Sequence, residues 1–388
     1  MNEPTNIRYT RIRLQPRGPF HFGKRGVSLN ETEIAMPADS FFSALCNALR
    51  DLDGMEAVPT FLARFPTAGD SDQPPPLRIT SLMPYVTTPQ PDTNGAGKFI
   101  YLLPMPLLHL PLYGQDAIGQ RKELKRIQWV SAPVFEHIIH NRPLTGNAEM
   151  VDDAHDPQKM GPRTVQKGQV WVTASEHAAL LNARQDTLDE VTFWSVATRP
   201  RVAVDRVTGA SAVYSSGSVY FAPNAGLYLL IEWLPGADAA LRQQIETAIQ
   251  YLGDSGIGGE RTYGYGHFTP TFEHLTTAPI VAPANASHVT TLAPYLPQPS
   301  ERASLSHADA RYEIILRRGW LTLPGYTSLR RPTVRMVNTG AILSTSTSGV
   351  PTGYVVDATP TKLAEQSDYV IHRYGLCWPV AVRLDPTV

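Results

Sequence analysis

Six glycines (Gly253, Gly256, Gly258, Gly259, Gly264 and Gly266) fall in a run that also holds Arg261, Tyr263 and Tyr265. Glycine lacks a Cβ and adopts positive φ, so such a run lets backbone N–H groups come close to a polyanion. Arg261 adds a planar cation suited to phosphate, and the tyrosines add stacking faces for bases. No Gly-Lys-Ser/Thr follows, which argues against a nucleotide P-loop. The glycines come after a helical pattern rather than between a strand and a helix, which argues against a dinucleotide fingerprint. A long glycine-rich turn with no ligand is the plain alternative.

A second loop, Gly18 to Gly26, holds His21, Phe22, Gly23, Lys24 and Arg25. Phosphate neutralisation combined with aromatic stacking is how single-stranded RNA is held. His21 has the chemistry of a general base, although a lone histidine among aromatics is more often a structural residue. Asp39 has a metal-ligand side chain, but a helix cap explains it without an ion. Ser40 and Ser43 lack a nucleophile-elbow context. His137 and His140 are three apart, with no glutamate completing a protease motif and no cysteine pair nearby. Cys46 and Cys377 are too few for a disulfide framework and hint at a reducing compartment. No triad or carboxylate pair emerges, so the expectation is a non-enzyme with no metal and no cofactor.

The 388 residues carry 34 Lys+Arg against 35 Asp+Glu, a net charge of −1, but the charge is unevenly spread. Residues 1–30 hold six basic residues, among them Arg11, Arg13 and Arg17, against Glu3; residues 311–335 hold Arg311, Arg317, Arg318, Arg330, Arg331 and Arg335 against Glu313. Such clusters make either a binding face or a solvated surface. No N-terminal apolar leader is visible, and prolines interrupt the longest apolar stretch, Phe99 to Tyr113. A cytoplasmic protein with no membrane partner is expected.

The elements that must position these loops read as follows. Residues 7–14 alternate as a strand, with Tyr9, Arg11 and Arg13 on one face and Ile12 and Leu14 on the other. Phe41, Phe42, Leu45, Leu49 and Leu52 mark a helix opening at Asp39 and stopped by Gly54. Leu241, Ile245, Ile249 and Leu252 mark a second, from about Asp238 to Leu252 and ended by Gly253. Strands are expected at Leu77–Val86, Gly226–Leu234 and Tyr265–Phe272. The order β-α-β-β-α-β is the ferredoxin-like, RRM-type arrangement, so the fold class is α+β. In that arrangement the two loops lie near one another. Residues 87–222 read as an insertion ending in a hairpin with Thr208 and Gly209 at its turn. Thus 1–275 would be one domain, 276–310 a Pro-rich linker, and 311–388 a smaller β-rich domain.

Phe20 to Gly26 with Pro37 to Leu45, Pro200 to Gly209, and Gly256 to Phe268 together resemble CRISPR RAMP proteins. The runs Leu316 to Trp320 and His372 to Gly375 resemble the RAMP subunit of type III-A (Csm) effector complexes. Glu260 departs from the family, where a basic residue is common, and is expected to pair with Arg261 or point away. The resemblance implies a non-catalytic subunit that grips the repeat-derived 5′ tag of crRNA. It would join the large polymerase-type subunit to the backbone RAMP filament, and meet target RNA through the complex. Residue reading and resemblance together place RNA contacts at His21, Phe22, Gly23, Lys24, Arg25, Asp39, Ser40, Arg201, Gly256, Gly258, Gly259, Arg261, Tyr263, Gly264, Arg318 and Arg331. A metal-independent repeat endoribonuclease using His21, or a plain protein–protein adaptor, are the alternatives.

Overall fold

The computed structural model describes residues 7–23, 31–70, 73–91, 97–108, 110, 124–144, 146–152, 161–181, 191–205, 207–321, 323, 325, 326 and 328–384. Lys24 and Arg25 lie outside them.

Strand β1 (Tyr9–Pro16) buries Ile12 and Leu14 and turns Tyr9, Arg11 and Arg13 to the other face, as its alternation requires. There follow β2 (Leu77–Ile79), β3 (Met83–Pro91), β4 (Gly97–Pro104), β5 (Trp129–Ser131), β6 (Thr164–Val165) and β7 (Val170–Trp171). A hairpin of β8 (Trp194–Val204) and β9 (Ser211–Phe221) precedes β10 (Ala225–Trp233) and β11 (Phe268–Leu275). Apart from the hairpin, these form one nine-stranded sheet, ordered β6-β7-β5-β4-β3-β10-β1-β11, with β2 pairing to β10. β1 is central to one end, antiparallel to both β10 and β11. The stretch read as an insertion supplies β4 to β7 and so widens the sheet.

Two helices cover this end. α1 (Ala38–Asp53) buries Phe41, Phe42, Leu45, Ala48 and Leu49 and is stopped by Gly54 at φ 91°. Its N-cap is Pro37, not Asp39, and Leu52 is exposed rather than part of the buried stripe. α2 (Ala239–Ser255) is capped by Asp238, whose carboxylate accepts from the Leu241 amide at 2.7 Å. It runs through Gly253, the expected stop, to Gly256. Gly253 is needed there for closeness, because a Cβ would stand 2.7 Å from the carbonyl oxygen of Phe268. The helices are tied by Gln244 to Asp53 at 2.8 Å and by the Tyr251 hydroxyl to Asp51 at 3.3 Å.

The C-terminal region is β-rich. β12 (His288–Thr291) lies between β15 (Ile342–Ser344) and β16 (Pro379–Val382), while β13 (Ile314–Arg317) pairs with β14 (Val334–Val337). The segment 276–310, read as a linker, is built into this region: it contains β12 and the 3-10 helix Pro299–Ser306. Leu292, Ala293, Tyr374, Leu376 and Trp378 join the same apolar cluster as the main sheet, and the Ile79 amide donates to the Tyr374 hydroxyl at 2.8 Å. Among the described residues no helix is long and apolar enough to cross a membrane.

Glu301 fixes the former linker. Its buried carboxylate accepts from the Tyr295 hydroxyl (2.5 Å), the Gln298 amide (2.8 Å) and both amide and hydroxyl of Thr352 (each 2.7 Å). Burial alone would raise its pKa, but Thr352, Tyr295 and the backbone donors outweigh burial and hold it below 4.5. A depressed acid stabilises the fold fully above its unfolded pKa and loses that contribution as pH falls through the folded value. Urea stability is therefore expected to drop from pH 6 to below pH 4 less in Glu301→Gln than in the parent. Equal drops in both would remove Glu301 from the acid response.

Candidate nucleic-acid interface

The two loops singled out in the sequence do meet. The Gly259 amide donates to the His21 carbonyl and the Gly266 amide to the Pro19 carbonyl, each at 2.9 Å, while the Ile257 amide donates to the Gly266 carbonyl at 3.1 Å. Their glycines serve this contact. At Gly258, with φ 85°, a Cβ would lie 2.5 Å from the His21 carbonyl oxygen; at Gly259 it would lie 2.7 Å from the His21 ring. The amides of Gly256, Gly259, Gly264 and Gly266 are all engaged within the protein, so they are not the phosphate donors that composition suggested. A shared apolar and steric requirement, not a ligand, explains most of this glycine run.

His21 and Phe22 are corrections. Both are buried; the His21 Nδ1 stands 2.7 Å from the Gly217 carbonyl, which fixes its proton there, and Phe22 packs against Phe20 at 5.2 Å. Neither side chain offers itself to RNA. Gly23 is exposed at the loop's end.

The surface of the glycine loop is different. Arg261 and Gly264 are exposed, and Tyr263 is 60% exposed. Glu260 pairs with Arg201 at 3.7 Å, not with Arg261, and Arg201 lies over the Tyr263 ring at 4.2 Å. Among the described residues no salt bridge neutralises Arg261. Arg201 comes from β8, whose hairpin projects from the sheet with Val196, Val202, Val204 and Val213 exposed. The hairpin turn is held by Asp205, which accepts from the Val207 and Thr208 amides.

A second cluster forms at the first turns of α1. Asp39 is fully buried, and its Oδ2 accepts from Arg317 Nε at 2.9 Å and from Arg373 Nη1. The Ser40 hydroxyl accepts from Arg317 Nη2 and the Ser43 hydroxyl from Arg331 Nη1, each at 2.8 Å. Asp39 is thus spent inside the protein and is not an RNA contact; its role is to bring β13 and the strand His372–Arg373 onto α1. Two guanidinium groups share this one carboxylate, and a third, that of Arg331, lies near enough to interact with it electrostatically. Burial, with Arg373 and Arg317 adding repulsion, pulls Arg331 down to about 10, and burial likewise lowers Arg373. An anion brought here would relieve that cost, and the helix N-terminus favours one. Ser40 and Arg331 are half-buried beside exposed Arg318, and Arg330 stacks over exposed Trp320 at 4.2 Å.

Sequence reasoning singled out Arg331 and Arg318 but not Arg317, Arg373, Arg330 or Trp320 as contacts. Arg317, Trp320 and Arg373 lie in the runs that carried the family resemblance, which was the available signal; Arg330 lies outside them. Conversely, Arg11 and Arg13 looked free by local counting but both pair with Glu273 across the strand at 3.2 Å and stack on Tyr101 and Phe99.

Comparison with known proteins bears on the whole chain. Residues 284–382 match the CRISPR Csm4 C-terminal domain. The chain is 24% identical over 385 residues to the CRISPR system protein Csm4 of Thermococcus onnurineus (strain NA1), covering 97% of this chain and 98% of that protein. It is 27% identical over 327 residues to Csm4 of Mycobacterium tuberculosis (strain CDC 1551 / Oshkosh), covering 84% of each. A crystal structure of a Csm3–Csm4 subcomplex of the type III-A CRISPR-Cas interference complex superposes with a TM-score of 0.62 at 16% identity, over 98% of this chain and 100% of that one. A Csm1–Csm4 cassette in complex with cA4 gives 0.54 at 19% identity, with the same coverage. These structures share the mixed α+β fold. The chain is thus similar to Csm4 proteins of CRISPR systems along nearly all its length, and its C-terminal region matches the Csm4 C-terminal domain.

Proposed function

We propose that this chain is a non-catalytic subunit of a type III CRISPR complex, that it grips the 5′ tag of crRNA, and that it joins a large polymerase-type subunit to the backbone RAMP filament. Csm4 proteins occur in structures with Csm1 and with Csm3, which supports partners of these two kinds. The observation that carries RNA binding is the cluster of Arg317 and Arg373 on the single carboxylate of Asp39 with Arg331 on Ser43 beside it, opening onto Arg318, Trp320 and Arg330. Excess cation beside an exposed indole suits phosphate and base together. The burial of His21 against Gly217 supports the non-catalytic reading over repeat cleavage. The antiparallel order β11-β1-β10-β2 with α1 and α2 in the crossovers supports a ferredoxin-like first half.

Co-expression with its genomic neighbours tests this reading. Small RNAs sharing one 5′ sequence are expected to come with the chain, together with a large and a backbone subunit; RNAs with no common 5′ end would sink it. With the isolated complex, Arg261→Ala is expected to lower the slope of log affinity against log salt by about one unit. Tyr263→Ala is expected to cost about 1–3 kcal/mol of binding if a base stacks there. An unchanged slope and affinity would place the glycine-loop surface outside the RNA path.

A further inference from the structure

We infer that His288, His307 and Asp309 form a binding site for one divalent transition-metal ion, with zinc the best match, separate from the residues proposed to contact RNA. The ligand atoms of the three residues lie within 4.8 Å of one another. Asp309 Oδ2 stands 3.6 Å from His288 Nε2 and 3.6 Å from His307 Nδ1. Those distances are too long for hydrogen bonds. They suit groups about to share an ion, since donors bound to zinc at about 2.0–2.2 Å stand roughly 3.3 Å apart in a tetrahedral shell.

His288 supplies the second, independent observation. It is only 6% exposed, and its Nε2 is buried with no hydrogen-bond partner. A buried imidazole nitrogen in that state is costly unless something occupies it. The other nitrogen, Nδ1, lies 2.9 Å from the Ser287 hydroxyl. With its proton on Nδ1 directed at that oxygen, the ring presents the Nε2 lone pair toward Asp309, the arrangement by which outer partners orient a metal-ligating histidine.

The three ligands come from two places. His288 begins β12, and His307 and Asp309 lie in the turn after the 3-10 helix Pro299–Ser306. His307 and Asp309 are half-exposed, so an ion has a route in and a fourth position for water. Two imidazoles and a carboxylate suit zinc among common cellular ions and discriminate against magnesium and calcium, which take oxygen donors. The ion would pin the turn onto the small sheet β15-β12-β16.

The test uses the full chain, stripped with EDTA, exchanged into chelator-free buffer and titrated with zinc chloride by calorimetry and cobalt chloride by visible absorbance. One zinc per chain is expected, with micromolar or tighter affinity and a rise in melting temperature. Cobalt should show the intense ligand-field bands of a four- or five-coordinate ion. His307→Ala and Asp309→Asn, both at half-exposed positions, should each weaken zinc binding more than tenfold and abolish the thermal shift, while melting like the parent without metal. Zinc binding that is absent, or that survives both substitutions unchanged, overturns the assignment. Because this site lies outside the proposed RNA contacts, neither result depends on the tag-binding reading.

Discussion

Asp39→Ala is expected to cost about 3–5 kcal/mol of folding stability, because it removes the one carboxylate shared by partly buried Arg317 and buried Arg373. The loss is not that of a surface ion pair. Arg373 and Asp39 are almost wholly removed from solvent, and Arg331 adds a third cation within reach. Without Asp39 the three guanidiniums repel one another in a poorly hydrated place. Two further outcomes follow from the same charges. Asp39→Ala combined with Arg373→Met should lose less than the sum of the single changes, since the second removes one of the stranded cations. Inorganic sulfate should stabilise Asp39→Ala more than the parent, by filling the position of the missing anion. A cost below about 1 kcal/mol in urea unfolding would show that water or a bound anion already shields the arginines.

The second large effect concerns Gly266. Its φ is 80°, and a Cβ there would lie 2.0 Å from the Ile257 carbonyl oxygen and 2.7 Å from the Ile257 amide nitrogen. Both are backbone atoms of the opposing loop segment, so no side chain can swing away. Strain and overlap together are expected to cost Gly266→Ala about 3–5 kcal/mol. The same change should displace the exposed Arg261 and Tyr263 and so weaken RNA binding. Gly264 is the internal control: it has the same φ of 80°, but nothing lies within 4 Å of its built Cβ. Gly264→Ala should therefore cost only the backbone strain, about 1 kcal/mol. Similar losses at both positions would mean that φ alone, not the close approach of Ile257, sets the price of substitution.

Much of the scaffold is legible in the sequence, and the reason is periodicity. The alternation of β1 and the apolar stripes of α1 and α2 each report one local geometry, and the structure carries them with end shifts of a few residues. The Gly253 stop was misread because a glycine near a helix end signals either a cap or a close approach, and sequence cannot separate the two. The same ambiguity covered the glycine loop, where Gly258, Gly259 and Gly266 turned out to admit neighbouring backbone rather than a phosphate. Charge was legible only locally. Glu273 is about 260 positions from the arginines it neutralises. Asp39 looked like a cap because nothing in its neighbourhood announced two arginines from the far end of the chain. Glu260 neither pairs with Arg261 nor points away, the two expected outcomes, since its partner Arg201 arrives on a different strand.

The tie between Asp39 and Arg373 spans 334 residues, and that between Ile79 and Tyr374 spans 295. During synthesis at about 5–20 residues per second, the last residue of α1 is joined to the chain roughly 15–65 seconds before Arg373 is. Throughout that interval Phe42 lacks the Tyr374 ring that it meets at 4.8 Å, and the Asp39 carboxylate lacks both guanidiniums. The nascent N-terminal portion is thus an unfinished core with an exposed aromatic cluster, a species that attracts chaperones or a waiting partner. A stop codon placed before His372 would make that transient state permanent.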